Sequence, residues 1–469
     1  MLVRLLTPAD FGLIALATSF SQSVDWLSTI GVREALIRRH TLTRSLYDTG
    51  FTLNALRGVL MALAILAMAW PVAGFFDDAR LFPILLVLAG VTMLSALENI
   101  GTVDFRRDLA FGREFWMAVI PRIGAIVVSM TLAFVLRNFW ALIGGILTAA
   151  VMRLAMSYLM HPYRPGLTLR DWRGIAGFSF WTWMTATAQL LRDKMDTVVI
   201  GRVLGPRDVG LYAVGVEVGS LTSSELVEPL TAALFAGFTE ARRKGADIAA
   251  GYFKAIAATF LVTMPMGLGL SMLAAPLVRL AFGEAWMEAV PLVQIFALMG
   301  MAKVVAYVST ALLTAEGMMR QHFRVMVTSL VARAILLAVL IGPFGIMGAV
   351  WATIGSIVVE EILYMIVTFR HFRLPLADLP KTLWRPSLAG AAMACVLMLQ
   401  GLAWTAAPDT AAEQALAMLQ GTLTGAVTYT SVLLLAWYAA GRPAGAETAF
   451  LDVFMSQVRR IARRSASRS

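Results

Sequence analysis

Residues 4–17 read RLLTPADFGLIALA, and residues 202–215 read RVLGPRDVGLYAVG. Seven of the fourteen positions are identical: Arg4/Arg202, Leu6/Leu204, Pro8/Pro206, Asp10/Asp208, Gly12/Gly210, Leu13/Leu211 and Ala15/Ala213. Each phrase runs into an apolar stretch. Its Pro and Gly set a turn and a helix start, and its Asp sits where a carboxylate favours the helix dipole. The recurrence predicts a chain made of two related halves.

Composition decides what the halves are made of. The chain has 469 residues, 59% hydrophobic and 14% charged, against about half apolar and a quarter charged for a soluble globular protein. Apolar runs of about 20 residues, each able to cross a hydrocarbon core of roughly 30 Å, recur along the whole length. Such segments must be helices or a closed barrel. The short alternating segments of a barrel are absent, so the expected class is all-α and polytopic. The single Cys395 excludes an internal disulfide framework and a CxxC site. Thr7, Pro8 and Asp10 interrupt any signal-peptide core. The net charge of +10 does not point to nucleic acid, because the basic residues occupy short connections rather than one continuous surface.

Thirteen spans are expected, at about 11–31, 51–76, 82–103, 115–136, 139–160, 175–200, 209–238, 253–280, 288–314, 323–342, 346–369, 384–406 and 415–439. Of the 39 Lys and Arg residues, 26 fall on one side of this arrangement, among them Arg38, Arg39, Arg106, Arg107, Arg242, Arg243 and the tail arginines from Arg459 to Arg468. Six fall on the other: Arg4, Arg80, Arg137, Arg202, Arg207 and Arg279. The basic side is expected to be cytoplasmic, which puts both copies of the phrase outside and the C-terminus inside. Six spans separate the copies, so the halves are parallel repeats about an axis along the membrane normal.

With these residues in view, LLTPADFGLIALA, the run GVREALIRRHTLTRSLYDTGF that follows it from residue 31, and MDTVVIGRVLGPRDVGLYAVG at 195–215 closely resemble the polysaccharide transporter family, the Wzx-type oligosaccharide flippases and exopolysaccharide exporters. The resemblance is strongest over 1–110 and 170–285 and thins beyond 375. It implies the fold of the multidrug/oligosaccharidyl-lipid/polysaccharide superfamily: two six-helix lobes around a cavity, with two further C-terminal helices. The domains expected are an N-terminal lobe (1–165), a C-terminal lobe (166–375), two additional helices (376–440) and a basic cytoplasmic tail (441–469). The implied cargo is an oligosaccharide on a polyprenyl diphosphate, moved across a bacterial inner membrane, including the precursors of lipopolysaccharide or exopolysaccharide. The implied partners are this lipid-linked oligosaccharide, membrane lipid, a polysaccharide polymerase and other assembly proteins, and no cofactor is implied.

Charges inside membrane helices are costly and are candidates for function. The densest group is QLLRDKMDTVVIG at 189–201. Arg192 and Asp196 stand at i,i+4 and can pair, while Asp193 and Lys194 point elsewhere. Arg192 or Lys194 would meet a diphosphate or acidic sugar, and the competing reading is a structural pair near the outer interface. Lys303 and Arg333 lie near mid-span, as cavity cations or as partners of an acid such as Glu217. Arg57, Arg122 and Arg153 are expected to snorkel. Asp25, Asp193, Asp196 and Glu217 are candidates for ion coupling or pairing. Trp26, Trp181, Trp183, Trp286 and Trp404 read as an interfacial belt.

No P-loop, HExxH or GxSxG motif is present, which disfavours an ATPase, a metalloprotease and a serine hydrolase. A small-molecule drug/cation antiporter of the same superfamily is the alternative. A membrane polymerase or ligase is disfavoured by the short external loops. One imbalance remains: a full span precedes Arg202, whereas three residues precede Arg4. Repeat symmetry therefore predicts a further apolar helix ahead of Met1 in the natural protein, fourteen spans in all, with both ends in the cytoplasm.

Overall fold

The computed structural model describes residues 2–27, 32, 36, 43–108, 110–172, 180–245, 247–405, 407–443, 445 and 448. Most of the tail, and Arg33, Arg38 and Arg39, lie outside them, as do the side chains of Trp26, Trp181 and Trp183. Within them, every one of the thirteen expected spans falls on helix. Among the described residues, eight helices are long and apolar enough to cross a membrane on length and composition, nine if the bent pair Leu81–Ala96 and Ile100–Arg107 counts as one span; Pro8–Leu27, Phe180–Val203 and Pro206–Lys244, at the expected spans 11–31, 175–200 and 209–238, are not among them. Long side chains such as Leu60, Ile126, Val135, Leu423 and Leu435 stand exposed on the eight, as lipid-facing surfaces require.

The chain divides into two compact units, residues 1–213 with 337–349, and residues 214–336 with 350–469. In the first unit both copies of the phrase do what their residues predict. One helix runs Pro8–Leu27 and another Pro206–Lys244, each beginning on its proline with its Asp in the first turn. Around them, hairpins pack through glycine. Phe111–Leu136 turns at Arg137, in the left-handed conformation, into Trp140–Met160. A Cβ on Gly145 would lie 1.9 Å from Ser129 Oγ, which shows how closely the two backbones approach.

Several spans are broken, and their residues show why. The expected span 253–280 divides into Ile248–Met272 and Ala274–Ala281. Pro276 lies four residues beyond Met272, where its ring blocks that carbonyl from continuing the helix, and Trp404 N–H donates to Met272 O instead at 3.0 Å. The spans 323–342 and 346–369 form one run, Met319–His371, interrupted after Pro343 by Gly345 at φ 57, ψ −137. That backbone favours glycine. Ile248–Met272, Asp378–Leu399 and Ala411–Ala439 share a core of Leu261, Leu268, Met393, Leu397, Tyr429 and Leu433, and Tyr429 Oη donates to Leu261 O at 2.9 Å. Trp286 corrects the belt expectation: it is fully buried with its ring 6.1 Å from Phe282. Trp404 is exposed, with its Nε1 donating to Ser271 Oγ at 3.1 Å.

Candidate functional site

The group at 189–201 lies on the helix Phe180–Val203, which packs antiparallel against Pro8–Leu27. A Cβ on Gly201 would meet Leu16 Cδ2 at 2.3 Å, and further along Lys194 Nζ donates to Gln22 Oε1 at 2.9 Å. Gln22 lies about 21 Å along the axis from Pro8 at 1.5 Å rise per residue. Gln22 is neutral, so this bond orients the ammonium without cancelling its charge and leaves two of its three donors for other acceptors.

One turn on, Asp25 lies 3.3 Å from Arg57 Nη2 on the helix Arg44–Phe75, and the Arg57 side chain is 18% exposed. Arg57 was expected to snorkel, but it is paired. Residues three apart share a helix face, so Gln22 and Asp25 gather two cations from two other helices onto one face of the Pro8 helix. The sequence analysis missed this pairing, although two polar residues at i,i+3 inside an apolar run are a readable signal.

Around the rest of the group, Arg192 Nε lies 3.6 Å from Asp193. The buried Asp196 carboxylate, the expected i,i+4 partner of Arg192, accepts from Tyr212 Oη at 2.6 Å. Tyr212 belongs to the second copy of the phrase, so this bond ties the cluster to the helix that the phrase begins.

In the second unit, Lys303 stands at the break between Val290–Ala302 and Val304–Ala315, its Nζ 5.4 Å from the Tyr307 ring centroid. Arg333 Nη2 donates to Thr353 Oγ1 at 2.8 Å. Neither contact involves Glu217, which is exposed on its helix. Glu361 takes the backbone N–H of Ala306 on its two oxygens, at 3.1 and 3.2 Å, and so satisfies a donor that the helix break leaves without its intrahelical partner.

The connection 161–172 is bound along the start of the Arg44 helix. Asp48 accepts from Gly166 N–H at 2.7 Å and from Tyr163 Oη. Thr168 N–H donates to Thr52 Oγ1 at 2.9 Å, and Ser45 Oγ donates to Asp171 at 2.6 Å. Burial, with the hydrogen bond to Asp48, pushes the Tyr163 phenol above its ordinary range. None of this was legible from local pattern, since each bond joins residues more than a hundred positions apart.

Residues 1–291 match the model of a family described as polysaccharide biosynthesis protein. The lipopolysaccharide biosynthesis protein WzxC of Escherichia coli K12 is 24% identical over 372 residues, covering 77% of this chain and 74% of that protein. The succinoglycan biosynthesis transport protein ExoT of Rhizobium meliloti is 26% identical over 309 residues, 64% of this chain and 61% of its own length. Among solved structures, the lipid II flippase MurJ in an inward closed conformation superposes with a TM-score of 0.69 at 13% identity, over 93% of this chain and 94% of that one. An inward-facing multidrug resistance MATE family transporter of the MOP superfamily gives 0.61 at 16%, over 81% and 93%. These two likenesses concern the fold.

Proposed function

The chain belongs to the polysaccharide biosynthesis protein family, and from that premise we propose that it moves polyprenyl-diphosphate-linked oligosaccharide from the inner to the outer leaflet of a bacterial inner membrane, with its C-terminus in the cytoplasm. A headgroup of sugars and diphosphate cannot cross hydrocarbon unaided, whereas its lipid tail never needs to leave it. Two repeat-related lobes, residues 1–165 and 166–375, that open alternately to either side solve that problem without making or breaking a bond, so the chain is a transporter and not an enzyme.

The observation that carries this reading is the pair of cations on the Pro8 helix face. Lys194 is oriented by neutral Gln22 and Arg57 is set by Asp25, and these two partners stand about one turn apart on the helix, which would offer a diphosphate two neighbouring cations. Arginine adds a fork that can engage two phosphate oxygens. Arg192 extends the same cluster. Lys303 and Arg333 are secondary contacts for acidic sugar. Asp25, Asp193, Asp196 and Glu217 are the carboxylates through which ion coupling would act. Polymerase and other assembly proteins would receive the product at the outer leaflet.

Deletion of the gene tests the reading: surface or secreted polysaccharide should disappear while lipid-linked units accumulate on the cytoplasmic leaflet. Normal polysaccharide together with altered drug sensitivity would instead identify an antiporter.

A further inference from the structure

The two copies of the repeated phrase touch each other. A Cβ on Gly12 would lie 1.6 Å from the Pro206 carbonyl oxygen and 2.8 Å from Gly210 N. A Cβ on Gly210 would lie 1.9 Å from the Pro8 carbonyl oxygen and 3.1 Å from Gly12 N. The contact is reciprocal, as a two-fold arrangement demands: each copy offers the other the same glycine and the same proline carbonyl. It is backbone against backbone, Cα–H facing C=O, and nothing larger than hydrogen fits at either glycine. Repetition of the phrase thus has a physical cause, since a two-fold contact this close needs glycine on both of its sides.

We propose that this contact is a reversible latch. Gly12 and Gly210 close the face poor in Lys and Arg while the Lys194–Arg57 face is open to the basic side, and they part when the cargo is released. The proposal rests on the transport reading above. Two further features suit a closure that must open. Glycine faces and carbonyls carry no interlocked side chains to withdraw, and the contact stands about 15–21 Å along the Pro8 helix from Gln22 at 1.5 Å per residue, so it can separate without dismantling the cation pair. The carboxylate of Asp10 is held locally, accepting from Thr7 N–H at 3.0 Å and Thr7 Oγ1 at 2.6 Å, and is thereby occupied on its own helix.

The test uses the full chain with Cys395→Ser and a reporter thiol, Ser23→Cys, labelled from outside by a membrane-impermeant maleimide. Gly12→Val and Gly210→Val should each raise the labelling rate at least tenfold, whereas Gly74→Val, where a side chain meets open space, should not. Unchanged labelling in both folded variants overturns the latch. Should either valine variant fail to accumulate, Ala9→Cys with Arg207→Cys, bridged in the membrane by cleavable bis-thiol reagents of graded length, decides the matter. Bridging should stop export, and cleavage of the bridge should restore it. Export at the unbridged rate, or no bridge at any length, overturns the proposal. A wild-type chain that moves no glycan, in which the valine variants still raise labelling, would sink the transport reading and leave the latch standing.

Discussion

The two compact units handle buried charge differently. In the first, three charges are met by side chains on other helices: Lys194 by Gln22, Arg57 by Asp25, Asp196 by Tyr212. In the second, Lys303 and Arg333 meet partners on their own stretches, while Glu361 reaches across from another helix. Lys303 lies over Tyr307 one turn further along the same stretch, Arg333 bonds Thr353 across the break in its own long run, and Glu361 covers a backbone donor at a helix break. Partners on separate helices exchange when helices move, while partners at breaks hold a bent helix in shape. On the proposed transport reading, the difference puts the main cargo contact in the first unit and a lesser one, at Lys303 and Arg333, in the second.

The contrast breaks most visibly at Arg57. Arg57→Ala should lower both the amount of protein in the membrane and its export, because it leaves Asp25 without its cation. Breaking a fully buried pair costs about 3–5 kcal/mol; Asp25 is 45% exposed, so about 1–3 kcal/mol is the expected loss. Adding Asp25→Asn should restore the amount of protein and not export, as read by immunoblot beside polysaccharide assay. Next in size, Lys194→Ala should cut export at least tenfold at normal protein level, with Lys194→Arg keeping part of it. A neutral residue there that exports normally would move the cargo site elsewhere.

Arg333→Gln should reduce export less than threefold, since the amide still reaches Thr353 and the cargo contact there is secondary. A loss matching that of Lys194→Ala would erase the distinction between the units. Smallest of all, Glu361→Gln should export at the wild-type level, because the amide oxygen still accepts from Ala306 N–H. Glu361→Leu, which strands that donor, should lower thermal stability in detergent by an amount equivalent to about 1–3 kcal/mol.

Most of the helices were legible because apolar length is a local property, and the helix starts because Pro8 and Pro206 each stand at one with an Asp two residues on. The breaks at Met272 and Gly345 were partly legible, in Pro276, Pro343 and Gly345 themselves. The break at Lys303 was less so: Gly300 lies in the turn before it, but the Glu361 carboxylate that satisfies its freed donor comes from far along the chain. The same limit hid the candidate site. Arg192 with Asp196 is a pattern within one helix, whereas the bonds to Gln22 and Tyr212 depend on how helices meet. Trp286 looked like an interfacial residue by position alone, and only packing at the Glu284–Ala289 turn places it fully inside.

The central claim is that the first unit's cation pair carries a glycosylated polyprenyl diphosphate across the bilayer. Reconstitution in liposomes of purified wild type, Lys194→Ala and Arg57→Ala/Asp25→Asn, with a labelled lipid-linked oligosaccharide in the inner leaflet, tests it most directly. The rate at which the glycan becomes accessible to an external glycosidase is the measurement. Wild type should expose the glycan well above protein-free vesicles, and both variants should fall to near that background while folded. Equal rates in all three proteins, or no exposure by wild type, would contradict the account.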